Sequence, residues 1–347
     1  MLTHRISRFL IIFFIFNNNI FHLFAQDVFF SQSDNLMLYF NPAATGMYSG
    51  FYRATALHRQ QWNGLDKGFI TTYAAFDAPI YDKRKNKNKA GLGGYFYTDV
   101  AGASKFKTTQ VSFSASGIVQ LAKKHFLSGG IGLSYIQKSF DLSGIQWVNQ
   151  YDGKKYNPSI NPNENTNFPI TSFLDVGLGG RYEYHSTDIS YDTWSYKLFA
   201  FDVALFHLTE PILQYTAFTE ENMKNRIALT TQYLNDFENN KLGINIFAQY
   251  MQQGQSQFIQ GGVLLRTRFK QQSHITGLMN YSVLSFGIIF RHTGFLVPNV
   301  RLKFSHFEVG LCYDAFISVY QYTTKGVNAF EIQLTYSKLR QSLRNIK

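Results

Sequence analysis

Gln110-Val111-Ser112-Phe113-Ser114-Ala115-Ser116-Gly117-Ile118-Val119-Gln120 is the stretch that decides the fold. In an extended chain Val111, Phe113, Ala115, Gly117 and Val119 share one face, while Gln110, Ser112, Ser114, Ser116 and Gln120 lie on the other; a helix would mix the two sets. The same alternation sets Leu242, Ile244, Ile246, Ala248 and Tyr250 against Lys241, Gly243, Asn245 and Gln249. It sets Leu284, Phe286, Ile288 and Phe290 against Ser285, Gly287 and Arg291, and Phe330, Ile332, Leu334 and Tyr336 against Glu331, Gln333, Thr335 and Ser337. Strands of roughly 9–13 residues with aromatic ends and turn residues between them are what a membrane-spanning barrel requires.

Ordinary hydropathy conceals this, because mean hydropathy is −0.17. No apolar run approaches the roughly 18 residues of a spanning helix, whereas a barrel places its membrane face at alternate positions. The fold class expected is therefore all-β: a transmembrane antiparallel β-barrel of about 14 strands, with 12 or 16 as the neighbouring even counts. Strands are predicted near 51–62, 69–78, 90–99, 109–121, 126–137, 172–185, 196–207, 224–234, 241–252, 257–269, 274–281, 283–291, 300–315 and 328–338.

Before the first strand, Arg5 and Arg8 precede the apolar run Phe9 to Phe16, and Leu23-Phe24-Ala25 follows. This has the form of a secretory signal, 1–25, cleaved near Ala25. The expected organisation is signal 1–25, an irregular segment 26–48 rich in Asn, Pro and Gly that folds into or under the barrel, and the barrel itself over 49–347. Loss of the signal removes two basic residues and no acids, so the formal charge of +11 becomes 33 − 2 − 22 = +9. In a secreted chain that balance suits an anionic membrane surface or a polar lumen, and the Lys83–Lys89 run reads as a solvated loop with no nucleic-acid role. The single cysteine, Cys312, alternates with Leu311 and Tyr313 and should point inward as an inert small residue.

The longest connection, Val148 to Pro169, holds Asp152-Gly153, Asn157-Pro158 and Asn161-Pro162 and belongs at the cell surface, since barrel loops are short on the periplasmic side. Asp175, Arg181, Glu183 and His185 alternate with Val176, Leu178, Tyr182 and Tyr184, and Arg266 and Arg268 do likewise, so these charges should face the lumen. They either line a path or interlock as charge pairs, the second being the expected arrangement.

Catalysis has no constellation to rest on. There is no Gly-x-Ser-x-Gly, His-Glu-x-x-His or phosphate-binding glycine loop, and the histidines lack the close pairing of metal sites. His58 and His207 read as structural histidines. No catalytic, metal or cofactor-binding residue is expected, and the chain is read as a non-enzyme that carries no cofactor.

In the mature N-terminal region Phe30-Ser31-Gln32, Tyr39-Phe40-Asn41-Pro42-Ala43-Ala44-Thr45-Gly46, Arg59-Gln60-Gln61-Trp62 with Gly64, and Asp77-Ala78-Pro79 resemble the signature of the PorP/SprF family of Bacteroidetes. The resemblance continues through Gly91-Leu92-Gly93, Ala204-Leu205-Phe206-His207-Leu208-Thr209-Glu210-Pro211, Tyr313-Asp314 and Phe330-Glu331-Ile332-Gln333-Leu334-Thr335-Tyr336. It implies an outer-membrane barrel of the type IX secretion system that assists export or surface anchoring of a large secreted adhesin, including gliding adhesins, through the adhesin's C-terminal sorting domain. The implied partners are that domain, other type IX components and outer-membrane lipid. The signature residues to follow are Asn41, Pro42, Gly46, Arg59, Trp62, Asp77, Pro79, His207, Pro211, Tyr313, Asp314 and Glu331. Asn41-Pro42 with Gly46 suits a capped turn at the entry to the first strand. Trp62 suits an interfacial girdle, and Arg59 can pair with a carboxylate such as Asp77 on the next strand. The chain runs on past Tyr336 to Lys347, so it does not end on the aromatic residue common in such barrels. The alternative function is a transporter for small hydrophobic molecules, which a barrel with an inward N-terminal segment would also suit.

Overall fold

The structure, a computed structural model, describes residues 27–48, 50–62, 68–82, 87–164, 169–186, 197–216, 219–237, 241–269, 282–317 and 328–339. The signal expected over 1–25 and the strand expected over 274–281 lie outside these residues.

Alternation becomes a closed antiparallel wall of fourteen strands. They are β1 (Gly50–Gln61), β2 (Phe69–Asp82), β3 (Lys87–Ala101), β4 (Phe106–Ala122), β5 (His125–Ser139), β6 (Thr171–His185) and β7 (Lys197–Phe206), then β10 (Arg226–Asp236), β11 (Leu242–Gln253), β12 (Ser256–Phe269), β13 (Ser282–Arg291), β14 (Phe295–Phe304), β15 (Phe307–Phe316) and β16 (Ala329–Leu339). Between β7 and β10, β8 (Ile212–Thr216) and β9 (Thr219–Asn222) form a separate hairpin. The wall closes where β1 pairs with β16, Arg59 opposite Glu331.

The two faces reverse the rule of a soluble protein. On β4 Phe113 is 68% exposed while its neighbour Ser114 is 7% exposed, and apolar side chains such as Leu92, Ile131, Leu265 and Phe286 continue that outward belt. Alternate positions turn polar and charged groups inward, which is how a barrel satisfies lipid outside and hydrogen bonding inside. An aromatic row, Phe76–Tyr52–Tyr336–Phe307–Phe304, runs across the closure at one end, with neighbouring ring centroids 4.9–6.0 Å apart.

The count of fourteen agrees with the sequence reading, though not strand for strand. The strand expected at 300–315 is two, β14 and β15, joined by the two-residue turn Ser305–His306 with Ser305 at φ 50°. That turn needs no glycine or proline, so no punctuation marks it. What does mark it is a phase change: Val300, Leu302 and Phe304 alternate on even numbers, then Phe307, Val309 and Leu311 on odd. The β8–β9 hairpin falls between the strands expected at 196–207 and 224–234, where no strand is predicted.

The barrel's two ends differ. At the end where β1 starts and β16 stops, the turns include Lys123–Lys124 and Ser305–His306; at the other end are the connections 140–170 and 207–225. These are called below the terminal end and the long-loop end.

Candidate functional site

Residues 27–48 occupy the lumen, entering at the long-loop end beside Gln253 and leaving at the terminal end into β1. Nearly all of this plug is buried, including Phe30, Ser31, Gln32, Tyr39, Ala43 and Thr45. Its local structure is a short 3-10 turn at Ser33–Asn35, one helical turn α1 (Met37–Phe40), and a second 3-10 turn at Pro42–Ala44. Asn41 caps that last turn, its side chain accepting from the Ala43 amide at 2.8 Å, and Pro42 suits the first position of a helical turn because it has no N–H to satisfy there. Gly46, at φ 70°, turns the chain against Pro79 and Gly91; a side chain at Gly46 would meet the Gly91 backbone, and one at Gly91 would meet Thr45. The expected capped turn is thus present.

A plug buried this deeply must pair every polar group it brings in. The central cluster meets most of that demand with four charges, the buried Gln32 side-chain amide being left without a hydrogen-bond partner among the described residues. Arg59 donates to Asp314 at 2.7 Å and to Glu331 at 2.8 Å, and Arg291 donates to Asp314 at 2.9 Å. Ser31 sits among them: its hydroxyl donates to Asp314 and accepts from Arg59 and Arg291, each at 2.7 Å. The Ser31 and Gln32 amides donate to the two Glu331 oxygens at 3.0 and 2.8 Å. The Phe29 ring lies over both guanidiniums, 5.1 Å from Arg59 and 4.7 Å from Arg291.

Other clusters tie the rest of the plug. Asp34 takes a two-pronged contact from Arg301, both at 2.7 Å, and accepts from Asn245. Asn41 donates to Asp202 and to the Gly180 carbonyl, while Arg181 bridges Asp202 and Glu183. Near the terminal end Asp77 accepts from the Gly46 amide at 2.9 Å and pairs with Arg53 at 3.0 Å. Tyr39 is packed edge-on by Phe30, Tyr73, Tyr95 and Tyr97, and its hydroxyl donates to the Val28 carbonyl.

At the long-loop mouth Asp27 accepts from His207 at 2.8 Å and from Arg226 at 2.7 Å, and the other His207 nitrogen lies 2.9 Å from Asp175. Both ring nitrogens face carboxylates, which only accept, so both must donate and the ring is an imidazolium. Burial alone would lower the His207 pKa, but the facing Asp27 and the Asp27 and Asp175 hydrogen bonds raise it. Burial would raise the Asp27 pKa, yet His207 and Arg226 hold it below the usual carboxylate range.

Seven of the twelve signature residues meet at the plug and its wall contacts: Asn41, Gly46, Arg59, Asp77, His207, Asp314 and Glu331. Pro42 and Pro79 pack in the same region. Trp62 instead ends β1 at φ 60°, its amide donating to the Asn328 carbonyl and its ring 4.5 Å from Phe69. Pro211 closes the base of the β8–β9 hairpin, its carbonyl accepting from the Met223 amide. Tyr313 faces outward. One expectation is corrected: Arg59 does not pair with Asp77. In register Arg59 lies opposite Thr71, and Asp77 lies opposite Arg53, which takes the role assigned to Arg59. Sequence reasoning missed Asp34, Arg226 and Arg301; their only signal is a charge on the inward phase of an alternating strand or in the plug. The lumen-facing charges do interlock, Arg181 with Glu183 and Asp202, and Arg266 with Asp236 at 2.8 Å. Cys312 points inward among Phe247, Leu264, Ile289 and Val297.

Small cavities beside the plug include one by Asp34, Asn41, Arg181 and Asp202 and one by Asp27, Phe29, Arg226 and Phe258, each with about 20 Å³ of free volume. That is room for about one water.

A family model described as type IX secretion system membrane protein PorP/SprF matches residues 23–336. No curated protein matches the chain. Among solved structures, a KdgM porin in complex with oligogalacturonate is 9% identical, with 82% of this chain and 98% of that one covered and a TM-score of 0.38. The toluene transporter TodX of P. putida is 9% identical, with 87% and 93% covered and a TM-score of 0.40. BamA from Haemophilus ducreyi lacking POTRA domains 1–3 is 8% identical, with 83% and 70% covered and a TM-score of 0.40.

Proposed function

Because the chain belongs to the PorP/SprF family of type IX secretion system membrane proteins, we propose that it is a non-enzymatic outer-membrane barrel that helps export or anchor a large secreted adhesin through the adhesin's C-terminal sorting domain. The long-loop end, which carries the two longest connections, 140–170 and 207–225, then faces the outside and the terminal end the periplasm. The observation that carries this reading beyond the family is the plug. Arg59, Arg291, Asp314 and Glu331 are spent on holding Ser31, so the lumen is committed to internal packing and what remains for partners is loop and rim surface. A conduit for small hydrophobic molecules would want an apolar path, whereas this lumen is lined by paired charges.

Deleting the gene should leave general outer-membrane permeability near normal and abolish surface display of one large secreted protein, read by surface proteomics of intact cells. If every type IX substrate is displayed normally and uptake of a hydrophobic nutrient is lost instead, the anchoring reading fails and the transporter reading replaces it.

A further inference from the structure

We infer that the terminal end carries a lysine collar that binds the phosphate headgroups of anionic phospholipids in the leaflet at that end. The identity of the leaflet rests on the orientation given with the proposed function; the collar rests on where the chain places its charge. Among the described side chains, every charged one that is exposed at the terminal end is a lysine: Lys89 on β3, Lys123 and Lys124 in the β4–β5 turn, Lys197 at the start of β7, Lys241 just before β11 and Lys338 on β16. The described acids of that end turn inward. Asp77, Glu183 and Asp236 are buried beside Arg53, Arg181 and Arg266, and Glu308 accepts from Asn35 of the plug. The long-loop end is different: its exposed lysines, such as Lys107, Lys154 and Lys155, are matched by exposed Asp141, Asp152, Glu164 and Glu210, and Lys105 pairs with Asp141 at 2.7 Å. The excess of positive charge is thus gathered at one rim.

Placement identifies the occupant. On the outward phase of β7 Lys197 precedes Phe199 and Phe201, both exposed, and on that of β16 Lys338 follows Leu334 and Tyr336. Each of these lysines stands two residues, about 7 Å along the strand, beyond the last side chain of the apolar belt. Lys338 Nζ lies 6.0 Å from the centre of the Tyr52 ring, within the aromatic row that crosses the closure at this end. An ammonium just outside an aromatic girdle is at headgroup depth, where its stem covers apolar surface and its charge meets phosphate. The collar is also spread out. It visits β3, the β4–β5 turn, β7, β11 and β16 of a fourteen-strand wall. A docked protein covers one side of a barrel, whereas lipid phosphates surround it, so charge distributed round the wall fits a leaflet and not a single docked partner.

The test places the full-length barrel in nanodiscs made from an equal mixture of phosphatidylcholine and phosphatidylglycerol and counts, by native mass spectrometry, the lipids that stay on the protein after release into detergent. The collar variant carries Lys123→Gln, Lys124→Gln, Lys197→Gln and Lys338→Gln; a matched control loses the same charge at the other end through Lys107→Gln, Lys154→Gln, Lys155→Gln and Lys224→Gln. A lysine near an anionic surface is worth about fivefold in affinity, so wild type and control should favour phosphatidylglycerol by at least about tenfold and the collar variant should fall to near parity. The wild-type preference should also fade as salt rises, because exposed charges are screened. Equal preference in the two variants overturns the proposal, and so does a wild-type preference indifferent to salt, a result that stands even if the collar variant fails the heat-modifiable gel test of folding. A photo-cross-linking amino acid in place of Lys338 that captures one periplasmic protein in cells, with no phosphatidylglycerol preference in the nanodiscs, overturns it in favour of a protein partner. An epitope tag at Asp152 should be reached by antibody on intact cells; a tag that is not reached overturns the choice of leaflet and gives the collar the phosphates of lipid A. Normal display of every secreted protein in the deletion strain is a separate result, which removes the anchoring reading and leaves the lipid preference standing.

Discussion

Ser31 has one hydroxyl, and three charged side chains from three different strands converge on it at 2.7 Å. Such a cluster is worth more broken than formed: burying four charges is costly in itself, but removing one leaves its partners buried without compensation. Replacing Arg59 with Met should therefore cost about 3–5 kcal/mol, read as a lowered urea midpoint of the detergent-solubilised barrel. A loss below about 1 kcal/mol would mean that the network does not hold the wall together. The latch at Asp27 adds a pH dependence. His207, with its pKa raised above 6.5, contributes fully below that ordinary value and loses its contribution as pH rises through the raised one. Asp27, lowered from 3.8, contributes above that value and loses its contribution as pH falls through the depressed one. The latch is strongest between about pH 4 and 6.5. Hydrogen-exchange protection of the Val28–Ser31 amides, corrected for intrinsic rate, should decline as the solution turns alkaline, and His207→Gln should flatten that dependence. Protection that rises with pH would contradict the assignment. None of these pairings was legible in the chain, because Arg59 and Glu331 are 272 residues apart; composition at the inward phase named the players, and only register named the partners.

At the scale of the element, alternation carried most of the information. It sorted Phe286 outward and Ser285 inward, as the structure has them. Phe286→Lys should cost about 2–4 kcal/mol, since lipid has nothing with which to solvate the ammonium. Ser285 lies between Arg266 and Arg301 in register, so a lysine there would add a third cation to the lumen. Ser285→Gln is the matched inward control and should lose clearly less, by the same urea titration. Equal losses at the two positions would undo the face assignment. Alternation failed at Ser305–His306 because both flanking strands are apolar on one face and the turn uses unremarkable residues; the change from even to odd phase was the available signal. The β8–β9 hairpin was lost for a different reason: strands of five and four residues are too short for a period to declare itself.

At the scale of the whole molecule, a lumen full of paired charges decides how the wall can close. The plug leads directly into β1, and β1 meets β16, the last of the described strands. A cylinder closed around nothing would leave Asp314, Glu331, Arg291 and Arg301 facing water, without Ser31 and Asp34 to join them across the lumen. Residues 27–48 thus serve the sheet as a mandrel does a winding: Ser31 touches β1 and β16 on either side of the seam, and β13 and β15 beside it, so the seam is held from inside. A chain lacking 27–48 should reach the membrane yet run as an unclosed, heat-insensitive species on cold gels, and a heat-modifiable closed form of that truncation would show that the cylinder needs no former.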